Sequence, residues 1–317
     1  MEYNLKYLDI NEFYNFLPGK NKYLSEIQIK KLILKIGIFK IKGYLYPLKN
    51  SSLKENIIFT FLFDRFLIKE LLDLTFEIEA ILKSALIEEC YQKFNNPFFY
   101  LIKDNYKNKI KLDTSLNNWK NKNSDDRHYQ HYINYYQSKY KFHNNFCRFL
   151  KNKPLLPINL SINYPPFHYL IESATLGLSI KFILSLKEII INKTFNINNP
   201  QTFKNYLLRL NELRNRLAHF HRIYNRNYRS VKGIGKYKEL RTKIEKHSLY
   251  DVILFLLFLT ERLNFSTFEE FEQNYIDNLF NKFRQDKNLN QFSFNLLKNY
   301  SNEDFQQLKN FIKLKMK

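Results

Sequence analysis

An all-α protein is what this sequence predicts, on three observations. Glycine occurs six times and proline eight times in 317 residues, sparse punctuation that favours long helices over many tight hairpins. Apolar residues recur at threes and fours through long stretches, the period of a helix with one buried face. Hydrophobic residues make up 44% of the chain, ample for a core at this length, which argues against a disordered whole.

Residues 1 to 52 form an N-terminal segment in which Pro18-Gly19 predicts a turn. Ser25 is placed to cap a short helix carrying Ile27, Leu32, Ile33 and Ile36, and Gly37 to end it. The next run, I-F-K-I-K-G-Y-L-Y-P-L, alternates apolar and basic residues and predicts a short strand or an extended clip, closed by Gly43 and Pro47. From Ser51 or Ser52 a long helix is expected to about Lys93, with Phe63, Phe66, Leu67, Leu71, Leu74, Ile78, Ile81, Leu82 and Ala85 on its buried side. Asp64, Arg65, Glu77, Glu79 and Lys83 are its polar exceptions, with Glu79 and Lys83 spaced to pair at i, i+4.

Residues 94 to 127 read as loop and short helix, with Trp119 as a packing anchor. The Tyr-rich and His-rich run from His128 to His143 suits stacking on bases or on aromatic neighbours. His128 and His131 have a metal-pair spacing but no third ligand, so no metal and no cofactor are expected. After the Pro157 and Pro165-Pro166 breaks, Phe167 to Ile191 predicts one amphipathic helix, Asn192 to Asn199 a turn, and Pro200 the start of the next helix. Beyond Arg226 comes a basic, glycine-bearing loop, then helices over Asp251 to Leu263, Thr267 to Arg284 and Ser301 to Lys317, the last with a Glu303 capping signal. The resulting division is an N-terminal segment (1–52), a helical core (53–228), and a basic loop with a C-terminal helical extension (229–317). No internal repeat is seen.

The net charge of +21 and a pI near 9.6 point to a polyanionic partner. Abundant Lys, Asn and Ile also fit an AT-rich coding sequence; that accounts for the choice of Lys without discharging the surface. Cys90 and Cys147 are the only cysteines and lack the spacing of a zinc site or disulfide framework, which suits a reducing compartment. Met1 to Asp9 has no apolar signal core, and the most apolar run, Val252 to Leu259, falls far short of the ~20 residues of a membrane span. A soluble, cytoplasmic protein with no membrane contact is expected.

The richest chemistry lies in N-E-L-R-N-R-L-A-H-F-H-R-I-Y-N-R, Asn211 to Arg226. Helical spacing places Asn211, Asn215 and His219 in one column beside an apolar stripe of Leu210, Leu213, Leu217 and Phe220. Arg214, Arg216, Arg222 and Arg226 surround that column with permanently charged planar forks that suit phosphate oxygens. A histidine that exchanges a proton near neutral pH, set among arginines and an asparagine, is a minimal kit for cutting RNA without metal, and equally for holding it. Residues five apart on an ideal helix differ by about 140° and about 7.5 Å. So Arg214 and His219 meet only if the arginine reaches around, the helix ends between them, or a second subunit contributes; a dimer is the most economical of the three.

The run L-x-x-L-R-N-R-L-A-H-F-x-R-I-Y-N-R resembles the signature of the Abi family of bacterial phage-abortive-infection proteins, the group related to AbiD and AbiF. K-I-G-I-F-K-I-K-G-Y-L-Y-P-L (Lys35 to Leu48) and F-D-R-F-L-I-K-E-L-L-D-L-T-F-E-I-E-A-I-L-K (Phe63 to Lys83) are similar to its upstream segments, so the resemblance covers about residues 24 to 228. That family is similar in turn to the HEPN superfamily, helical bundles whose R-x4-6-H motif marks RNases that usually act as dimers. The resemblance implies a HEPN-like bundle in which Arg214 and His219 are catalytic and Asn215 supports them. Glu79 with Lys83 resembles an acidic-basic pair on an earlier helix of such bundles. The family often has a second histidine directly after the first, whereas this chain has Phe220 and then His221, which leaves the role of His221 open.

The function this implies is a defence toxin cutting RNA by transesterification to 2′,3′-cyclic phosphate ends and refusing DNA, which lacks the 2′-hydroxyl. Arg216, His221, Arg222, Tyr224, Asn225, Arg226, Arg229 and Lys232 are its candidate RNA contacts. The partners implied are RNA, including a small structured RNA as antitoxin or guide, and a second copy of the chain. The alternative is a non-catalytic RNA binder in a ribonucleoprotein. A DNA-binding regulator is disfavoured, because no helix-turn-helix is recognisable.

Overall fold

The computed structural model describes residues 9–17, 24–48, 57–107, 110–142, 164–187, 197, 199–228, 248–263, 275–286 and 301–316. Twelve α-helices are found among them: α1 (Ile10–Phe16), α2 (Glu26–Ile36), α3 (Ile38–Leu48), α4 (Ile57–Phe94), α5 (Ile110–Asn123), α6 (Arg127–Phe142), α7 (Phe167–Ser173), α8 (Leu176–Ser185), α9 (Pro200–Ala218), α10 (Leu249–Arg262), α11 (Tyr275–Gln285) and α12 (Asn302–Met316). No strand occurs among the described residues, where β pairing is one isolated antiparallel bridge between Tyr106 and Leu186. The protein is an all-α bundle, as the sparse glycine and proline predict.

The chain divides into two compact units, one of residues 1–75 and 213–317, the other of residues 76–212. In the first unit α2 is opened by Ser25, whose hydroxyl accepts from the Gln28 amide while the Gln28 side chain accepts from the Ser25 N–H, a reciprocal cap. Ile29, Leu32, Ile33 and Ile36 are its buried face, whereas Ile27, expected there, is 66% exposed. Gly37 follows at φ +93° and α3 begins directly after it. The stretch read as a strand or clip is therefore helical, with Gly43 inside it. Among its residues 38–44, Ile41 and Tyr44, one turn apart, are buried, a helical spacing hidden under an alternating pattern.

The first half of α4 contributes Phe59, Phe63 and Phe66 to an aromatic core shared with α11 and α12. Phe63 stacks on Phe280 at 4.3 Å, Phe59 meets Phe283 edge-on at 5.3 Å, and Phe305 lies 6.2 Å from Phe59. Ser301 caps α12 by accepting from the Asp304 amide at 3.1 Å, with Asp304 rather than Glu303 as its partner.

In the second unit the helix expected from Phe167 to Ile191 is two helices. Ala174 is extended, and Thr175 opens α8 by accepting from the Leu178 amide. Lys83 compensates the break, donating to the carbonyls of Ala174 at 2.7 Å and Glu172 at 3.5 Å while pairing with Glu79 at 2.9 Å. Trp119 is buried and packs edge-on to Tyr129 at 5.7 Å, and Tyr132 sits 4.7 Å from Tyr169. Tyr129 and Tyr132 of α6 thus pack on aromatic neighbours of this unit, while Tyr135 is 43% exposed. His168 shares a 2.8 Å hydrogen bond with Tyr91, and burial lowers its proton affinity. Cys90 is buried and free. The expected turn at Pro18-Gly19, all of the turn expected over Asn192 to Asn199 except residues 197 and 199, the basic loop from Arg229, and Cys147 lie outside the described residues.

Candidate functional site at the end of helix α9

Helix α9 is built as its sequence asks. The Asn199 side chain accepts from the amides of Gln201 at 2.9 Å and Thr202 at 3.0 Å, and Pro200 takes the first helical position, where no N–H is needed. Phe203, Tyr206, Leu207, Leu210, Leu213 and Leu217 make a continuous buried stripe. Arg214 and Arg216 are half-buried beside it, and Asn215 is exposed.

The helix stops at Ala218, one residue before His219. His219 is the capping residue; its N–H still reaches the Asn215 carbonyl at 3.1 Å. Phe220 then turns left-handed, at φ +51°. Its N–H closes on Leu217 at 2.9 Å and the His221 N–H on Arg216 at 3.0 Å, the paired bonds that normally finish a helix on glycine. The Phe220 ring is 46% exposed, and the Arg65 guanidinium lies over it at 4.4 Å. Both histidines are exposed, with their ring centroids 5.8 Å apart.

The segment after the turn is locked from α3 and α4. Asp64 is fully buried and accepts from the amides of Tyr224 at 2.7 Å and Ile223 at 3.3 Å, and also from the Tyr44 hydroxyl. Arg222 donates to the Gly43 carbonyl and lies over the Tyr44 ring at 5.9 Å. Burial pushes the Asp64 carboxyl up to about 6, against its three donors and Arg222, which favour the charged form. Burial next to Asp64 also drives the Tyr44 hydroxyl far above its ordinary value, so Tyr44 stays a proton donor to the carboxylate. Tyr224 is buried, Asn225 is left-handed at φ +48° and exposed, and Arg226 is exposed. Tyr228 donates to the Ile223 carbonyl at 2.9 Å, and Arg216 lies over its ring at 5.3 Å.

Of the residues singled out in the sequence, Arg214, Asn215, Arg216, His219, His221, Arg222, Asn225 and Arg226 fall on one helix end and the turn after it. Tyr224 serves the core instead, and Arg229 and Lys232 lie outside the described residues. Glu79 and Lys83 pair with each other, and Lys83 also holds the end of α7. Of the anchors, Asp64 stood out in sequence only as a polar exception of its helix, and Tyr44 was not singled out. A carboxylate inside F-L-F-D-R-F was the available signal, one acid amid the most apolar turn of the longest helix.

A family model of Abi-like proteins matches residues 31–225, most of the chain and the site as far as Asn225. The chain belongs to the Abi-like protein family. Membership connects it with abortive infection, a phage-defence response. No curated protein and no solved structure matches it. Among the described residues no group of three or more His, Cys, Asp and Glu side chains could hold a metal ion, and no helix is long and apolar enough to cross a membrane.

Proposed function

We propose that this Abi-like protein is a metal-independent endoribonuclease of phage defence, built on a HEPN-like bundle and acting as a homodimer, with RNA as both substrate and bound partner. The observation carrying this reading is the end of α9: an exposed imidazole on a rigid cap, with arginines on both sides, anchored by a buried carboxylate. Arg214 and Arg226 would grip backbone phosphate and Arg214 would stabilise charge on the phosphorane, while His219 moves a proton at the 2′-hydroxyl or at the leaving oxygen. Asn215 and the exposed Asn225 add neutral donors for the same backbone. A small structured RNA held at this surface would act as antitoxin or guide.

His219→Ala is expected to slow cleavage of single-stranded RNA by roughly 10²–10⁴-fold, the usual weight of general acid or base action, with RNA affinity retained. Wild-type products should carry 2′,3′-cyclic phosphate and 5′-hydroxyl ends, and the all-DNA analogue should be left intact. Full cleavage by the variant would remove His219 from the mechanism. Tight RNA binding with no cleavage by wild type would establish the ribonucleoprotein reading in its place.

A further inference from the structure

We infer that His221 is a second proton-transfer residue, sharing one scissile phosphate with His219 inside a single chain. This rests on the endoribonuclease reading above and adds to it a division of labour. Transesterification moves two protons: one leaves the attacking 2′-hydroxyl, and one reaches the departing 5′-oxygen. A lone histidine must do both in succession or leave one to water, whereas two imidazoles do both in one passage.

The backbone supplies the second imidazole. In a continuing helix, residues 219 and 221 would point about 200° apart. The left-handed Phe220 ends the helix between them, and the His221 N–H returns to the Arg216 carbonyl at 3.0 Å. The two rings consequently stand 5.8 Å apart, inclined by only 31°, both open to solvent. A single phosphate is of a size to span rings at this separation, and proton transfer then needs a nitrogen of each within ~3 Å of its oxygen. Strain kept at such a position is informative, since phenylalanine in this conformation costs about 1–2 kcal/mol that glycine would not incur. The position holds no glycine here, and the Phe220 ring lies under the Arg65 guanidinium at 4.4 Å, a contact that holds the turn residue in place.

The step balances without a further reactant. The 2′-oxygen-to-phosphorus bond forms as the phosphorus-to-5′-oxygen bond breaks. One imidazole accepts the 2′-hydroxyl proton, and the imidazolium of the other gives its proton to the 5′-oxygen. The products are a 2′,3′-cyclic phosphate and a 5′-hydroxyl, and exchange with water resets both rings. The charged and titratable groups of this helix end and of the elements packed on it are Arg65 and Asp64 on α4, Tyr44 on α3, Arg214 and Arg216 on α9, and Arg222 and Arg226 after the turn; Asp64 and Tyr44 are buried.

The test uses the full-length protein, its His219→Gln and His221→Gln variants, and two RNA substrates: a normal one and one with sulfur replacing the 5′-bridging oxygen. Sulfur leaves without needing a proton. Each variant should cut normal RNA at least ~10²-fold more slowly than wild type, with thermal melting unchanged, as expected for exposed side chains. The sulfur substrate should restore near wild-type rate in the variant that has lost the acid and leave the other slow. A wild-type rate in His221→Gln on normal RNA, or rescue of neither variant, overturns the pair while His219 still serves in cleavage. Inactivity of wild type on both substrates overturns the endoribonuclease reading itself and the pair with it.

Discussion

Asp64 is the residue on which the candidate site hangs, because its carboxylate receives two successive amides from the segment after the turn. Removing it as Asp64→Ala would strand two amides and the Tyr44 hydroxyl in a dry interior, each costing about 1–3 kcal/mol. Asp64→Asn is the gentler probe. The buried carboxyl titrates at about 6, above an ordinary aspartate, so its contribution to stability is full below ~4 and is lost as pH rises through about 6. The difference is worth on the order of 3 kcal/mol. Denaturant unfolding from about pH 4 to about pH 7.5 should therefore show wild type losing stability relative to Asp64→Asn as pH rises; parallel curves would mean that the charge costs nothing where it sits. Phe220 can be probed in both directions. Phe220→Val, β-branched and unable to adopt φ near +51° cheaply, should lower stability by about 1–2 kcal/mol and slow RNA cleavage by moving His221 away from His219. Phe220→Gly should relieve the strain but lose the Arg65 contact, worth about 0.5–1 kcal/mol, so melting should change little.

At the scale of elements, the sequence revealed most where one face is buried and little where contacts are remote. Helices α2, α4, α9 and α10 were legible because Ile, Leu and Phe recur at threes and fours with Ser25, Pro200 and Gly37 as punctuation. Helix α3 was not, since its lysines alternate with apolar residues and mimic a strand; only the packing of Ile41 and Tyr44 selects the helix. The α7–α8 break was equally hidden, because no proline marks it, and its freed carbonyls are satisfied by Lys83 from 91 residues earlier in the chain. The same is true of Asp64, which reaches 160 residues ahead to Tyr224. Lys83→Ala should accordingly cost about 1–3 kcal/mol, since it frees the carbonyls at the end of α7 and removes the ammonium from the Glu79 pair. Chemical denaturation would read that loss, and a change below about 1 kcal/mol would mean that water replaces the ammonium at no cost.

The whole molecule raises the question of how many chains make one site. The termination of α9 brings His219 and His221 together in one copy, so the proposed proton-transfer pair needs no second subunit. Arg214 is different: it lies half-buried in the last turn of the helix, and in the proposed homodimer it serves the phosphate held by the partner's histidines. That arrangement makes a genetic prediction. Arg214→Ala and His219→Ala homodimers should each be nearly inactive, but when the two are unfolded and refolded together, half of the dimers are mixed and carry one intact site each. Activity should then return to about a quarter of wild type. If Arg214 acts within its own chain, every mixed dimer has two damaged sites and the mixture stays as inactive as its parents. Sedimentation under the same conditions decides the remaining case, since a strictly monomeric protein with full cleavage activity excludes a shared site and leaves the arginine to work beside its own histidines.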